Sequence, residues 1–470
     1  MESGIVLEEL DRKKPVHLVG IGGAGMSAVA TVLLEMGFRV EGSDIKESRN
    51  TRRLRGKGAV IGVGHRRDNV GRPSVVVKSS AVRDDNPELL AAVEKGIPVV
   101  TRAEMLGAVM GTGRAIAVAG THGKTTTAAL MAQMLMNCGK QPSFLVGGDL
   151  NEIGSNARYD RGEFLVAEAD ESDGSLLSLR LEVAVLTNVD IDHHDYYRDL
   201  DHTSEVFSGF LGLVPSGGFA VVCGDDPRAL EVGRSFQQGG GELILYGSGE
   251  QNQYRFDRVE ISGPGSAFDV WYQGRRLGRA RVGIPGIHNA SNALAAIATG
   301  HRLGLPEGDL LKSMADFGGV HRRFETVGMS GTILVIDDYA HHPTEVRAVL
   351  ELASTLAESR VVAVFQPHRY SRTASLARAF GESFRKAGVV VISDVYGAEE
   401  EPEPGITGEL VVDYTRECYP DKEVHYVPER SRLAREVCSV LQEGDMVLTM
   451  GAGDITQCAR EVLEILEGHG

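Results

Sequence analysis

Twice in this chain a short apolar run meets a glycine-rich turn and then a helix-like stretch, and that arrangement leaves few folds open. Gly20-Ile21-Gly22-Gly23-Ala24-Gly25 closes the strand-like Pro15–Gly20 and leads into Met26–Met36. Gly120-Thr121-His122-Gly123-Lys124-Thr125-Thr126 follows Ala115–Ala119 and leads into Thr125–Cys138. Strand, glycine turn, helix is the repeating unit of a parallel sheet covered by helices. The remaining pattern agrees. Strand-like runs recur at Phe38–Ser43, Ser74–Val77, Pro98–Thr101, Glu163–Ala167, Val183–Thr187, Ala220–Val222, Thr332–Ile336, Val361–Phe365, Val389–Ser393 and Met446–Met450. Helix-like stretches at Ala290–Leu303, Pro343–Thr355 and Leu376–Lys386 separate several of them. Residues 251–282 alternate polar and apolar, which predicts antiparallel strands. At about 100–200 residues per domain, a chain of 470 residues holds about three domains. The expectation is three α/β domains in tandem, 1–112, 113–325 and 326–470, with the glycine-bearing Gly107–Arg114 as the first linker.

Composition removes several classes of function. A net charge of −16 gives no basic face for nucleic acid. No apolar run approaches the roughly 18 residues that cross a bilayer, so no membrane insertion is expected. The acidic start, with Glu8, Glu9 and Asp11, lacks a signal peptide's basic and apolar regions, and a cytoplasmic protein is expected. Five scattered cysteines, none paired as C-x-x-C, predict reduced thiols.

The chemistry starts at the two loops. In the first, glycines let backbone approach a diphosphate, and the following helix supplies free N–H donors. Asp44, about 20 residues on, completes the pattern usually read as dinucleotide binding. The loop by itself specifies a diphosphate near a helix N-terminus, and NAD is one candidate. In the second, Val118 stands where the first glycine of G-x-x-x-x-G-K-[ST] would be, leaving a shortened phosphate loop. Lys124 offers a point charge for the β- and γ-phosphates and Thr125 a hydroxyl for Mg²⁺, so ATP is expected here. Carboxylates for the metal follow at strand ends: Glu168, Asp170, Glu171 and Asp173 after one, Asp190, Asp192 and Asp195, with His193 and His194, after another. Two phosphate loops allow a dehydrogenase fused to a kinase, or a ligase holding a nucleotide-linked substrate beside ATP.

Several ordered motifs extend this picture. They are Gly20 to Ser27, Gly120 to Thr126, Glu168-Ala169-Asp170-Glu171-Ser172-Asp173, Asp192-His193-His194-Asp195, His288-Asn289-Ala290-Ser291-Asn292, Arg322-Arg323-Phe324, Asp337-Asp338-Tyr339-Ala340-His341-His342-Pro343 and Gln366-Pro367-His368-Arg369-Tyr370-Ser371-Arg372. In these, over almost its whole length, the chain resembles the Mur ligase family. The resemblance implies a Rossmann-like UDP-binding domain, a central P-loop ATPase-type domain and a Rossmann-like C-terminal domain. It implies ATP-dependent addition of L-alanine to the lactyl carboxylate of UDP-N-acetylmuramate through an acyl phosphate. Peptide-adding ligases of the same family have similar motifs, but the Gly-Met-Ser ending of the first loop favours alanine.

Residue roles come with the resemblance. Gly22, Gly23, Gly25, Met26, Ser27, Asp44, His65, Ser79 and Ser80 are expected to hold the UDP-linked substrate. ATP is expected on Gly120, Thr121, His122, Gly123, Lys124, Thr125 and Thr126, with His288, Asn289, Asn292, Arg323 and Asp338. Thr125, Glu168 and His193 are expected to bind Mg²⁺, or Mn²⁺ in its place. His368, Arg369 and Arg372 are expected near the incoming alanine, Lys124 at the transferring phosphate, and the protein as a monomer or homodimer. Many relatives carry a carbamoylated lysine at the second metal, yet this chain has no lysine between Lys140 and Lys312. His17, His301 and His321 are read as structural, and Trp271 as packing on the central strands.

Overall fold

The computed structural model describes residues 5–192, 196–398 and 400–468. It forms two compact units, one of Met1–Ile191 with Asp199–Gly318 and one of Asp192–Arg198 with Gly319–Gly470.

The first unit contains two sheets. Strands β1 (Val16–Val19), β2 (Val40–Asp44), β3 (Val60–Val63), β4 (Val75–Lys78) and β5 (Val99–Thr101) form an all-parallel sheet in the order β3-β2-β1-β4-β5. The order in which strands are added reverses between β1 and β4, which opens a crevice at the carboxyl ends of those strands. Helix α1 (Ala24–Glu35) starts there from the N-cap Gly23. Helices α2 (Arg49–Gly56) and α3 (Pro87–Glu94) follow β2 and β4.

The expected linker is instead largely helix. Helix α4 (Arg102–Met110) is fixed at its start by a capping box between Thr101 and Glu104, and continues through Gly107. Glycine is there for packing: a Cβ at Gly107 would stand 2.4 Å from the Ser178 carbonyl oxygen. A glycine inside a helix marks a close approach as readily as an end.

The second sheet has ten strands, ordered β15-β14-β13-β12-β11-β10-β6-β9-β7-β8. They are β6 (Arg114–Ala119), β7 (Ser143–Leu150), β8 (Ser155–Arg158), β9 (Phe164–Glu168), β10 (Val183–Leu186), β11 (Phe219–Cys223), β12 (Glu242–Gly247), β13 (Tyr254–Ser262), β14 (Gly265–Tyr272) and β15 (Arg275–Val282). Strand β6 lies between β9 and β10, parallel to both, and leads into α5 (Lys124–Asn137). The alternating stretch forms the antiparallel β13–β15 edge, where the Trp271 indole donates to Asp257.

The second unit has one six-stranded sheet in the order β16-β17-β21-β18-β19-β20. Its strands are β16 (Glu325–Ser330), β17 (Ile333–Asp338), β18 (Val361–Phe365), β19 (Val389–Ser393), β20 (Glu423–Val427) and β21 (Met446–Met450). All pair in parallel except β16. Both faces are covered by apolar clusters, so its strands read as continuous Val and Ile runs. Among the described residues, no helix is long and apolar enough to cross a membrane.

Candidate functional site

The shortened phosphate loop is shaped by its neighbours. Gly120 has φ +134°, and a Cβ on it would meet Thr187 Oγ1 at 2.1 Å. Gly123 has φ +80° and abuts the Asn292 side chain. Both are conformations that L side chains rarely adopt. The segment after β10 braces the loop from the side. The His122 amide donates to Asn188 Oδ1, while Thr187 Oγ1 and Asn188 Nδ2 donate to the His122 carbonyl. Thr121 Oγ1 donates to the Asp190 carbonyl and accepts from its amide. Asp190, a metal candidate in the sequence, thus holds the loop by its backbone and faces His122 Nε2 at 3.3 Å with its carboxylate.

Lys124 opens α5 and folds back over the loop. Its Nζ donates to Gly120 O at 2.7 Å and Thr121 O at 3.0 Å, and pairs with Glu171 at 2.7 Å. Burial alone would lower the pKa of this ammonium, but the carboxylates of Glu171, Glu168 and Asp170 outweigh it and hold the pKa above the ordinary lysine value. Glu171 is 2% exposed, and burial pushes its carboxyl up to about 7. The sequence offers Glu171 as one carboxylate for the metal; in the structure it pairs with Lys124.

Glu168 ends β9 beside Val118 of β6. Its Oε1 accepts from Thr125 Oγ1 at 3.0 Å and its Oε2 from the Gly147 amide at 2.6 Å. Two hard oxygen donors, one from the first turn of α5 and one from the end of β9, therefore lie within one ion's reach, a set that suits Mg²⁺. Thr126 is buried in the first turn of α5. Asn289 and Asn292 are buried and joined to each other, and His288, one position before, is exposed. His193, with His194 and Asp195, lies outside the described residues.

At the first loop, Gly20 has φ +79° and a Cβ there would touch Ser79, which follows β4 with Ser80. Gly22, Gly23, Gly25 and Met26 bring backbone to the start of α1, where the first amides of a helix lack internal partners. Ser27 is fully buried and its hydroxyl donates to Ala24 O, the usual local bond of a helical serine. Met26 is 1% exposed and can contribute only backbone. Asp44 accepts from the Gly22 amide at 2.8 Å, so its carboxylate shapes the loop.

Arg102, the first residue of α4, carries no motif and was missed in the sequence. It reaches Asp170 at 3.2 Å and crosses in front of Gly25. A cavity of about 210 Å³ there is lined by Gly25, Arg102, Leu145, Glu168 and Asp170. A second, of about 350 Å³, is lined by Arg102 with Lys78, Ser80, Asp173 and Ser175. Both lie within the first unit, and the smaller runs from Gly25 of the first glycine loop to Glu168, which is bonded to Thr125 beside the second.

In the second unit, Asp338 is 4% exposed and accepts from the Phe324 and Ala340 amides, both at 2.7 Å. Burial raises its pKa to about 6 against the opposing charge of Arg323. Arg322 and Phe324 have φ of +60° and +49°, so Asp338 holds a strained turn. Arg323 lies over the Tyr339 ring, 5.2 Å from its centroid. Arg369, with φ +69°, caps the helix Tyr370–Ser383. Arg372 is buried and gives both Nε and Nη2 to Asp192 Oδ1, at 3.1 and 2.8 Å. His368 stacks on Tyr396, and burial with nearby His341, Arg372 and Arg369 pushes its pKa down to about 3.

An α/β chain of three sheets with a phosphate loop, adjacent hard oxygen donors and a second glycine loop in the same unit is an ATP-using enzyme of the ligase type. Family models agree along the chain: Mur ligase family, catalytic domain, over residues 15–114; Mur ligase middle domain over 118–300; and Mur ligase, glutamate ligase domain, over 322–453. The chain belongs to the Mur ligase family. It is 44% identical over 454 residues to the UDP-N-acetylmuramate–L-alanine ligase of Syntrophotalea carbinolica, covering 97% of this chain and 98% of that one. Among solved structures it is similar to the UDP-N-acetylmuramate-alanine ligase of Thermotoga maritima, with TM-score 0.81, 31% identity and coverage of 97% and 100%. A murein peptide ligase of Psychrobacter arcticus shares the fold, with TM-score 0.69 and 23% identity over 96% and 98%.

Proposed function

We infer that this chain joins L-alanine to the lactyl carboxylate of UDP-N-acetylmuramate at the expense of ATP, in the synthesis of peptidoglycan precursors. The observation that carries the chemistry is the placement of both glycine loops in one compact unit, with Glu168, Asp170 and Arg102 lining the cavity between them. A substrate whose diphosphate sits on Gly22, Gly23 and Gly25 has its far end directed toward Lys124.

The lactyl carboxylate oxygen attacks the γ-phosphorus as the bond to ADP breaks, giving an acyl phosphate. The neutral amine of L-alanine then attacks the carbonyl, and phosphate leaves. Lys124 moves from the loop carbonyls and Glu171 onto the phosphates and offsets their charge. Thr125 and Glu168, with His193, are the residues that would hold Mg²⁺, which when bound polarises the γ-phosphoryl group. Ser79, Ser80, Asp44 and His65 belong to the UDP-substrate side, and His288, Asn289, Asn292, Arg323 and Asp338 to the ATP side. His368, neutral at physiological pH, and Arg369 serve the alanine, while Arg372, its Nε and Nη2 given to Asp192, stands beside them. Arginine's planar fork suits the alanine carboxylate. The nucleotide substrates place the reaction in the cytoplasm.

Phosphate release from ATP and Mg²⁺ is the test, with and without UDP-N-acetylmuramate and each amino acid. Release requiring both UDP-N-acetylmuramate and L-alanine is expected. Release only with a tripeptide would move the assignment to a peptide-adding ligase, and no release in any combination would overturn it.

A further inference from the structure

A closed hydrogen-bond network lies under the carboxyl ends of β2 and β3, and its protons can be counted. Glu88, in the first turn of α3, is fully buried. Its Oε2 faces His17 Nε2 at 2.8 Å and accepts from Ser43 Oγ at 2.7 Å. Its Oε1 accepts from the Arg66 amide at 3.1 Å and from Asn69 Nδ2 at 2.6 Å. Burial opposes ionisation, but these four bonds prevail and bring the carboxyl down to about 2. Glu88 is therefore an anion without a proton to give, and every neighbour must donate to it.

Ser43 has one hydroxyl proton, and Glu88 takes it. Ser43 Oγ also lies 2.9 Å from His65 Nδ1. With its proton committed, the hydroxyl can only accept there, so Nδ1 must carry hydrogen. In neutral His65 the other nitrogen, Nε2, is then a bare acceptor. Among the described residues it bonds to no protein group, and the side chain is 15% exposed. His65 sits just past β3, beside the end of β2. In a doubly wound sheet the nucleoside lies past that end of β2, beyond the diphosphate.

We propose that Glu88, acting through Ser43, fixes the tautomer of His65, and that the Nε2 acceptor so presented selects a hydrogen-bond donor on the nucleoside of the substrate. Glu88 and Ser43 are positioning residues. The donor is the uracil N3–H or a ribose hydroxyl. The proposal rests on the reading that the first glycine loop holds a UDP-linked substrate. Where the donor is uracil N3–H, a cytosine base, whose N3 is itself an acceptor, would face His65 lone pair to lone pair.

The direct measurement is ¹⁵N NMR of the histidine-labelled full chain, with the His65 signals assigned by their loss in His65→Gln. Neutral His65 is expected as the Nδ1–H tautomer. Glu88→Gln should reverse it. The Arg66 amide and Asn69 keep the new side-chain oxygen on their side, so the amide NH₂ faces Ser43, which then donates to His65 Nδ1. Ser43→Ala, a smaller change, removes the acceptor of the Nδ1 hydrogen and should raise the Nε2–H population, with Nδ1 left 3.7 Å from Glu88 Oε1. An Nε2–H tautomer in the wild type, or one unmoved by both substitutions, overturns the relay.

Binding of UDP then tests selection. Ser43→Ala should weaken UDP about tenfold, the size of one hydrogen bond, while the KM for ATP stays at the wild-type value. If the donor is uracil N3–H, N3-methyl-UDP binds wild type and Ser43→Ala equally; if it is a ribose hydroxyl, deoxy-UDP does. Equal UDP binding by wild type and variant overturns the selection. Failure of wild type to bind UDP at all would instead remove the underlying functional reading, leaving the tautomer result to stand on its own.

Discussion

Replacing Lys124 by Met keeps the length of the side chain and removes its charge, which isolates what the ammonium does for Glu171. The two are 2.7 Å apart, and Glu171 is 2% exposed. Burial already lifts Glu171 from 4.5 to about 7 with the lysine in place. Without it, the carboxyl moves higher still. From pH 4.5 to 7 the folded forms of wild type and variant both retain this proton, while the unfolded chain has lost it. Stability falls with pH at the same slope in each. Above pH 7 the wild type releases the proton and levels off, and the variant continues to lose about 1.4 kcal/mol per pH unit. The stability gap between them should therefore be flat from pH 5.5 to 7 and widen above pH 7, by up to roughly 3 kcal/mol at pH 9. Urea midpoints at four pH values measure it. Lys124→Met with Glu171→Gln should remove the widening while phosphate release stays absent. A gap that is constant to pH 9, or one that survives Glu171→Gln, would refute the account of this pair.

Three further outcomes are expected. Glu88 is shifted the opposite way, from 4.5 to about 2, so it contributes roughly 3 kcal/mol that is fully present above pH 4.5 and lost as pH falls toward 2; the urea-midpoint difference between wild type and Glu88→Gln should shrink from pH 6 to pH 3. Gly107→Ala should destabilise by about 1–3 kcal/mol because its Cβ meets the Ser178 carbonyl, although alanine favours helix by up to about 1 kcal/mol; a rise in melting temperature would show that the contact relaxes freely. Glu168→Gln should lower phosphate release by at least about a hundredfold and shift the Mg²⁺ titration to higher concentration, whereas a loss insensitive to Mg²⁺ would remove Glu168 from the metal site.

The elements that were legible in the sequence are those whose local pattern needs no partner. Both strand–glycine–helix units and the Val- and Ile-rich β18, β19 and β21 can be read within a residue or two, because strands buried on both faces read as apolar runs. Strand β3 went unread because Val60-Ile61-Gly62-Val63 lies at a sheet edge, half exposed, with a glycine in it. The helix over Gly107 was hidden because the reason for the glycine is Ser178, far along the chain. The site divides in the same way. Lys124, Thr125 and Glu168 follow from chemistry that motifs encode. Arg102 and Glu88 do not, since a lone arginine or glutamate in a helix reads as surface until the fold supplies its partner. Ser27 shows how local the fold's choices are: in sequence it extends a phosphate loop, and in the helix its hydroxyl donates to Ala24 O.

Why the first loop does not announce its nucleotide follows from where its specificity is built. The glycines, the first turn of α1 and Asp44 would look the same for any diphosphate. Here Asp44, which a dinucleotide enzyme would turn to a ribose, is held by the Gly22 amide. Discrimination has to come from further along the crevice, past β2 and β3, where the base lies. The group there is His65, whose hydrogen-bonding character is not a property of histidine as such, since either ring nitrogen can carry the proton. It is set by Ser43, whose proton is set by Glu88, 45 residues away from it in sequence. A loop motif records that phosphates bind; which base accompanies them depends on the direction of hydrogen bonds in a buried network, and that direction appears only once the carboxylate, the hydroxyl and the ring are in contact.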